Sequence, residues 1–177
     1  MSRVPHHAGA FAILAILVAH AISWSPSQLL WACHIASLAI AGGLVFDSRR
    51  WIAAGVLFHA AQGIPIYVID LVLVGDNSAT SVLGHTVPIL VGACALWGKP
   101  LPRGVVLRAW LIPPFAMLAA YLLADPKLNV MLVHEPYAPT AGLFPALWMS
   151  WIAYLAMSIT ALAIGWVALR AIWGRWS

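Results

Sequence analysis

The chain has 177 residues, of which 63% are hydrophobic and 8% charged, and its formal charge is +4. Soluble domains carry roughly 25% charged residues, so this composition cannot clothe a water-facing surface, and the bilayer has to be the solvent. The basic residues are scattered without interleaved aromatics, which excludes a nucleic-acid partner, and two cysteines, Cys33 and Cys94, exclude a disulfide framework.

A helix crosses a bilayer with about 20 apolar residues, within a range of about 17–25. Six stretches qualify: Ala8–Trp24, Leu29–Phe46, Trp51–Val74, Ser81–Gly98, Gly104–Leu123 and Leu143–Ile172. The first two are near the short limit, and the last is long enough to tilt or to run past the membrane. Local chemistry sets the breaks. Ser25-Pro26-Ser27 is a tight turn, and Asp47-Ser48-Arg49-Arg50 is a polar hairpin. Gly75-Asp76-Asn77-Ser78 ends the third stretch, and Lys99 to Gly104 joins the fourth to the fifth. Gly63 and Pro65 interrupt the third stretch and are expected to kink it. The segment from Ala124 to Gly142 is too long for a turn and is expected to fold back over the helix ends. The fold class is therefore an all-α membrane protein, a single domain of six transmembrane helices over residues 1–177, with no repeat and no linker.

Charge gives the orientation. With six spans, Arg3, Arg49, Arg50, Lys99, Arg103, Arg108, Arg170 and Arg175 fall on one side, and Lys127 alone on the other. The positive-inside rule places both termini in the cytoplasm of a plasma or inner membrane. Arg3, a short apolar run and Ala19-His20-Ala21 imitate a cleavable signal, but the expectation is a retained anchor. Most of the tryptophans lie near helix ends, where interfacial anchors belong.

Ionisable groups inside a span are costly and therefore candidates for function. They gather at one depth, about one turn below the outer surface: His20 on the first helix, Cys33 and His34 on the second, Asp70 on the third, His85 and Thr86 on the fourth. The outer loop adds Asn129, His134 and Glu135. Cys33 and His85 are the pair able to do chemistry, because a thiol becomes a nucleophile when an adjacent imidazole takes its proton. The bland alternatives stay open. Cys33 can be a small buried hydrophobe, His85 a core histidine bonded to a carbonyl, and Asp70 a helix-end carboxylate. His59, Gln62, Ile66 and Asp70 form one polar stripe, in which His59 is expected to pack against Gln62. Cys94 is expected to pack toward the cytoplasmic end. No Cys-x-x-Cys pair, phosphate-binding loop, dinucleotide fingerprint or His-Glu-x-x-His motif is present.

Three segments carry a resemblance: LLWACHIASLAI (Leu29–Ile40), SVLGHTVPIL (Ser81–Leu90) and LNVMLVHEP (Leu128–Pro136). In order and spacing the chain resembles the YwaF-like integral membrane family, related to cysteine-dependent transmembrane phospholipid acyltransferases. More distantly it is similar to the androgen-induced intramembrane lipid hydrolases, which use a threonine and a histidine. It departs from the family pattern at His34, where Asp is frequent, and at Val130, where the loop has Tyr. The resemblance implies Cys33 as acyl-accepting nucleophile and His85 as general base and acid. It also implies Asn129 as a site-lining or loop-fixing residue; His34, Asp70, Thr86 and His134 are expected as substrate-binding or supporting residues from their common depth.

Three functions follow as expectations. The first is a thiol-dependent acyltransferase or lipid hydrolase acting on membrane lipid at the outer leaflet, needing no metal and no cofactor; Thr86 and Asn129 are its candidate oxyanion donors. The second is a non-enzymatic accessory subunit among other membrane protein subunits. The third is a haem- or metal-binding redox protein using His20, His34, His85 and His134, since imidazole suits iron, copper and zinc.

Overall fold

The structure, a computed structural model, describes residues 4–73, 78–135, 142–143 and 146–173. Arg3, Asp76, Arg175 and the part of the outer loop at 136–141, all used in the sequence reading, lie outside them. The described residues are helical, without strands. Six rods follow one another, at the six expected places.

α1 is Val4–Ser23. Ser25 then caps a 3-10 turn, Pro26–Leu30, by accepting a hydrogen bond from the Ser27 amide, and Pro26 occupies the first-turn position that lacks a use for an N–H. α2 is Ala32–Val45. Its first amide is satisfied from far along the chain, Ala32 N donating to Met131 Sδ at 3.2 Å. Asp47 takes a left-handed φ of 53°, which reverses the chain into α3. α3 runs over 49–73 as Arg49–Phe58, a π-helical turn His59–Gly63, and Ile64–Leu73. Pro65 explains the π turn. It has no N–H for the Ala61 carbonyl, and the helix absorbs the defect by an i→i−5 bond from Ile64 N to His59 O. α4 is Ala79–Leu96, capped by Ser78. α5 is Val105–Leu123, jointed at Leu111 ahead of Pro113 and Pro114, and α6 is Leu147–Trp173.

Five of these rods are long and apolar enough to cross a membrane. α2 has 14 residues, about 21 Å at 1.5 Å per residue, short of the roughly 30 Å hydrocarbon core. It tolerates this because it is the central rod. Eight of its residues are buried, and it packs on α1, α3, α4 and α5. α3 is the other inner rod, touching α2, α4, α5 and α6. The outer rods turn large apolar side chains outward, with Phe11, Ile22 and Leu123 each more than 70% exposed. Such surfaces belong against lipid. α6, with 27 residues, spans about 40 Å and has to tilt or overhang.

The two ends of the bundle differ. At the basic end, His6 and His7 lie with Phe46 and Asp47, and Trp173 donates to the Lys99 carbonyl at 3.2 Å, so the first and last described helices both have an end there. At the polar end, the described part of the outer loop does fold back. Val130, Met131 and Val133 are buried, and the Asp125 amide reaches Ser27 Oγ.

Candidate functional site

The polar end holds a continuous run of four imidazoles, those of His20, His34 and His85 and that of His59, which was expected only to pack. Counting from the surface inward, ring centroids are separated by 4.7 Å from His20 to His34, 6.2 Å from His34 to His85 and 6.3 Å from His85 to His59. α1, α2, α4 and α3 contribute one ring each. Tyr67 of α3 stacks on His85 at 4.3 Å with the planes 11° apart.

Each ring is fixed by a different partner, and the partners decide the tautomers. His85 Nδ1 lies 2.8 Å from the Ser81 carbonyl, and His34 Nδ1 lies 2.7 Å from the Gln28 carbonyl. A carbonyl only accepts, so Nδ1 donates in both neutral rings and Nε2 keeps the lone pair. His59 is the reverse. Ser37 Oγ gives its one proton to the Cys33 carbonyl at 3.0 Å, so His59 Nε2 donates to Ser37 Oγ, also at 3.0 Å. The lone pair of His59 is then on Nδ1. His20 Nδ1 pairs with Thr80 Oγ1 at 3.2 Å. Two of the lone-pair nitrogens, His34 Nε2 and His59 Nδ1, are buried with no hydrogen-bond partner. His34 Nε2 faces Gly84, where a Cβ would stand 3.9 Å away.

Cys33 is one residue from His34 on α2, half-buried and with a free thiol. Asp70 and Tyr154 lie within electrostatic reach of it. α2 and α4 are in contact, but among the described residues the Cys33 sulfur makes no hydrogen bond to His85. The link between the two runs through the backbone: Cys33 O to Ser37 to His59, whose ring meets His85 edge-on.

The other expected site residues separate from this cluster. Thr86 is exposed and donates its hydroxyl to the Val82 carbonyl of its own helix at 2.8 Å, so it supplies no oxyanion donor. Asn129 fixes the loop. Its Oδ1 accepts from the amides of His134 and Glu135, and its Nδ2 donates to the Glu135 carbonyl, each at 3.0 Å. His134 stacks on Tyr121 of α5 at 5.9 Å and makes no ring contact with the other imidazoles. The ligand set His20, His34, His85 and His134 is therefore not one constellation. Among the described residues no group of three or more His, Cys, Asp or Glu side chains is disposed to hold a metal ion.

His59 was expected to pack on Gln62; its hydrogen bond goes to Ser37 of α2. Gln62 instead makes two bonds to Ser158 of α6, donating to its carbonyl at 3.2 Å and accepting from its hydroxyl at 2.8 Å. The π turn is the reason: its extra residue turns His59 toward α2 and Gln62 toward α6. The signal that could have located it was Pro65 six residues after a buried histidine. Cys94, expected to pack, is exposed on α4.

No family model matches the chain, and neither a curated protein nor a solved structure matches it.

Proposed function

We propose that this protein is an intramembrane enzyme directed at lipid, a thiol-dependent acyltransferase or hydrolase working in the outer leaflet of a plasma or inner membrane. The observation that supports it most is the fixing of His85. Its Nδ1–H is held by the Ser81 carbonyl and its ring by Tyr67, as an orienting group holds the base in a nucleophile–base–orienter arrangement. Its Nε2 is the basic nitrogen, on the helix that packs beside the Cys33 helix.

In this reading a lipid ester enters laterally, with its carbonyl at Cys33. Sγ–H gives its proton to His85 Nε2 while sulfur bonds to the carbonyl carbon. The C–O bond breaks, and the imidazolium returns the proton to the leaving alcohol. Water or the hydroxyl of a second lipid then attacks the thioester, His85 taking its proton and passing it back to sulfur. Catalytic hydrogen bonds are often long before substrate binds, so the unmade Cys33–His85 bond does not oppose the role. His34 and Asp70 frame the thiol, while Asn129 and His134 belong to the cover above it.

The test is acyl release from a phospholipid reconstituted with the pure protein. Cys33→Ala and His85→Ala are each expected to lower turnover by about 10²–10⁴-fold, the usual size of a lost acid–base or nucleophilic group, with unchanged thermal unfolding. Turnover equal to the parent's in Cys33→Ala sinks the proposal.

The buried, unpartnered His34 Nε2 and His59 Nδ1 favour one second reading, a haem- or metal-dependent redox protein, because such an imidazole nitrogen is a Lewis base. A Soret band in the purified protein, lost in His34→Ala, would replace the first reading with this one.

A further inference from the structure

At the basic end, far from the imidazoles, two loops distant in sequence close around an open cavity of about 600 Å³. One is the α2–α3 hairpin with Asp47, Arg49 and Arg50. The other is the α4–α5 connection with Pro100, Pro102 and Arg103. Three guanidinium groups against one carboxylate leave the basin positive. Among the described residues none of the three forms an ion pair.

The positive-inside rule explains why arginines are at this end, but it does not ask them to converge on one hollow. The convergence is built. Arg49 Nη2 donates to the Pro100 carbonyl, tying the second loop to the first turn of α3. Trp173 holds the same loop from α6 through the Lys99 carbonyl. Arg49 Nε remains buried with no hydrogen-bond partner. Ser48 caps α3 without a side-chain hydrogen bond, and the positive end of the helix dipole lies where Arg49 and Arg50 begin the helix. Trp51 and Trp97, both exposed, mark the interfacial level beside the two loops. An anion that meets a fork of guanidinium donors at headgroup depth is a phosphate.

We propose that this basin binds a phosphate group, with Arg50 and Arg103 as its free arms and Arg49 as the fixed floor. The phosphate comes from an anionic phospholipid headgroup, or from free phosphate in solution. The site is independent of the chemistry proposed at the polar end.

Binding to the full-length protein in neutral detergent would be followed by microscale thermophoresis with three probes: dihexanoyl phosphatidic acid, dihexanoyl phosphatidylcholine and sodium phosphate. The acidic lipid is expected to bind at least about tenfold more tightly than the zwitterionic one. The double change Arg50→Gln with Arg103→Gln is expected to weaken it about thirtyfold, or about 2 kcal/mol at about 1 kcal/mol per basic group. Arg50→Lys with Arg103→Lys should recover most of that loss. Sodium phosphate saturating the site as well as the acidic lipid does identifies the free ion as ligand. Equal affinity for the two lipids, or a glutamine variant that binds like the parent, overturns the proposal. If the glutamine variant fails to fold, the parent decides: acidic-lipid binding that does not weaken between about 50 and about 500 mM salt is not held by these charges.

Discussion

His59 is wholly buried, yet only its Nε2 has a hydrogen-bond partner. The unused nitrogen lies against Gly63, where a Cβ would stand 2.8 Å from Nδ1. Gly63→Ala is therefore expected to push the ring off Ser37 and to destabilise the protein by about 1–3 kcal/mol, the usual cost of overpacking. A thermal unfolding scan in detergent that shows no shift would mean that the ring has slack the packing does not suggest. The residue scale also shows what a lone histidine or cysteine conceals in a sequence. Cys33, His34 and His85 stand out because they are ionisable groups in apolar runs. Their hydrogen-bond partners do not stand out, because they are carbonyls of Gln28 and Ser81 that every residue possesses.

The elements were legible wherever local chemistry fixes them. Ser25-Pro26 opens a turn, Asp47 to Arg50 makes a hairpin, and the six apolar runs give six rods. How the rods approach one another depends on single positions whose partners are remote. A Cβ on Gly55 would stand 2.6 Å from the Ala36 carbonyl oxygen, and backbone cannot step aside. A Cβ on Gly42 meets nothing within 4 Å. Gly55→Ala should therefore separate α2 from α3 at a cost of about 3 kcal/mol or more. Gly42→Ala should be neutral or stabilise α2 by up to about 1 kcal/mol through propensity. Equal shifts for the two in a denaturation series would contradict the packing. The Gln62–Ser158 pair is the polar tie between α3 and α6. A double-mutant cycle with Gln62→Leu and Ser158→Ala is expected to give a coupling of about 0.6 kcal/mol and no more than about 1.7, as interhelical bonds in membranes do. No coupling would place the two side chains out of register.

Over the whole molecule, polar chemistry and positive charge are at opposite ends. The imidazoles and the folded-back loop are at one, the arginine basin and Trp173 at the other. The orientation proposed from the charges can be read by labelling. In a background with Cys33→Ala and Cys94→Ala, Arg103→Cys and Lys127→Cys should react with an impermeant maleimide from opposite faces of sealed vesicles, Lys127→Cys from the outer one. Labelling of both from one face would remove the six-span topology.

Composition and the spacing of apolar runs determined by themselves that this is an all-α bundle of six rods, because lipid obliges each backbone to satisfy itself along its own helix. The tertiary structure alone decided which imidazoles meet. It also bonded His59 to Ser37 and Gln62 to Ser158, took Thr86 and His134 out of the cluster, and made α2 a short inner rod. Those outcomes depend on the rotation of one helix against another, and a single π turn shifts that rotation without leaving a trace in the hydrophobic pattern.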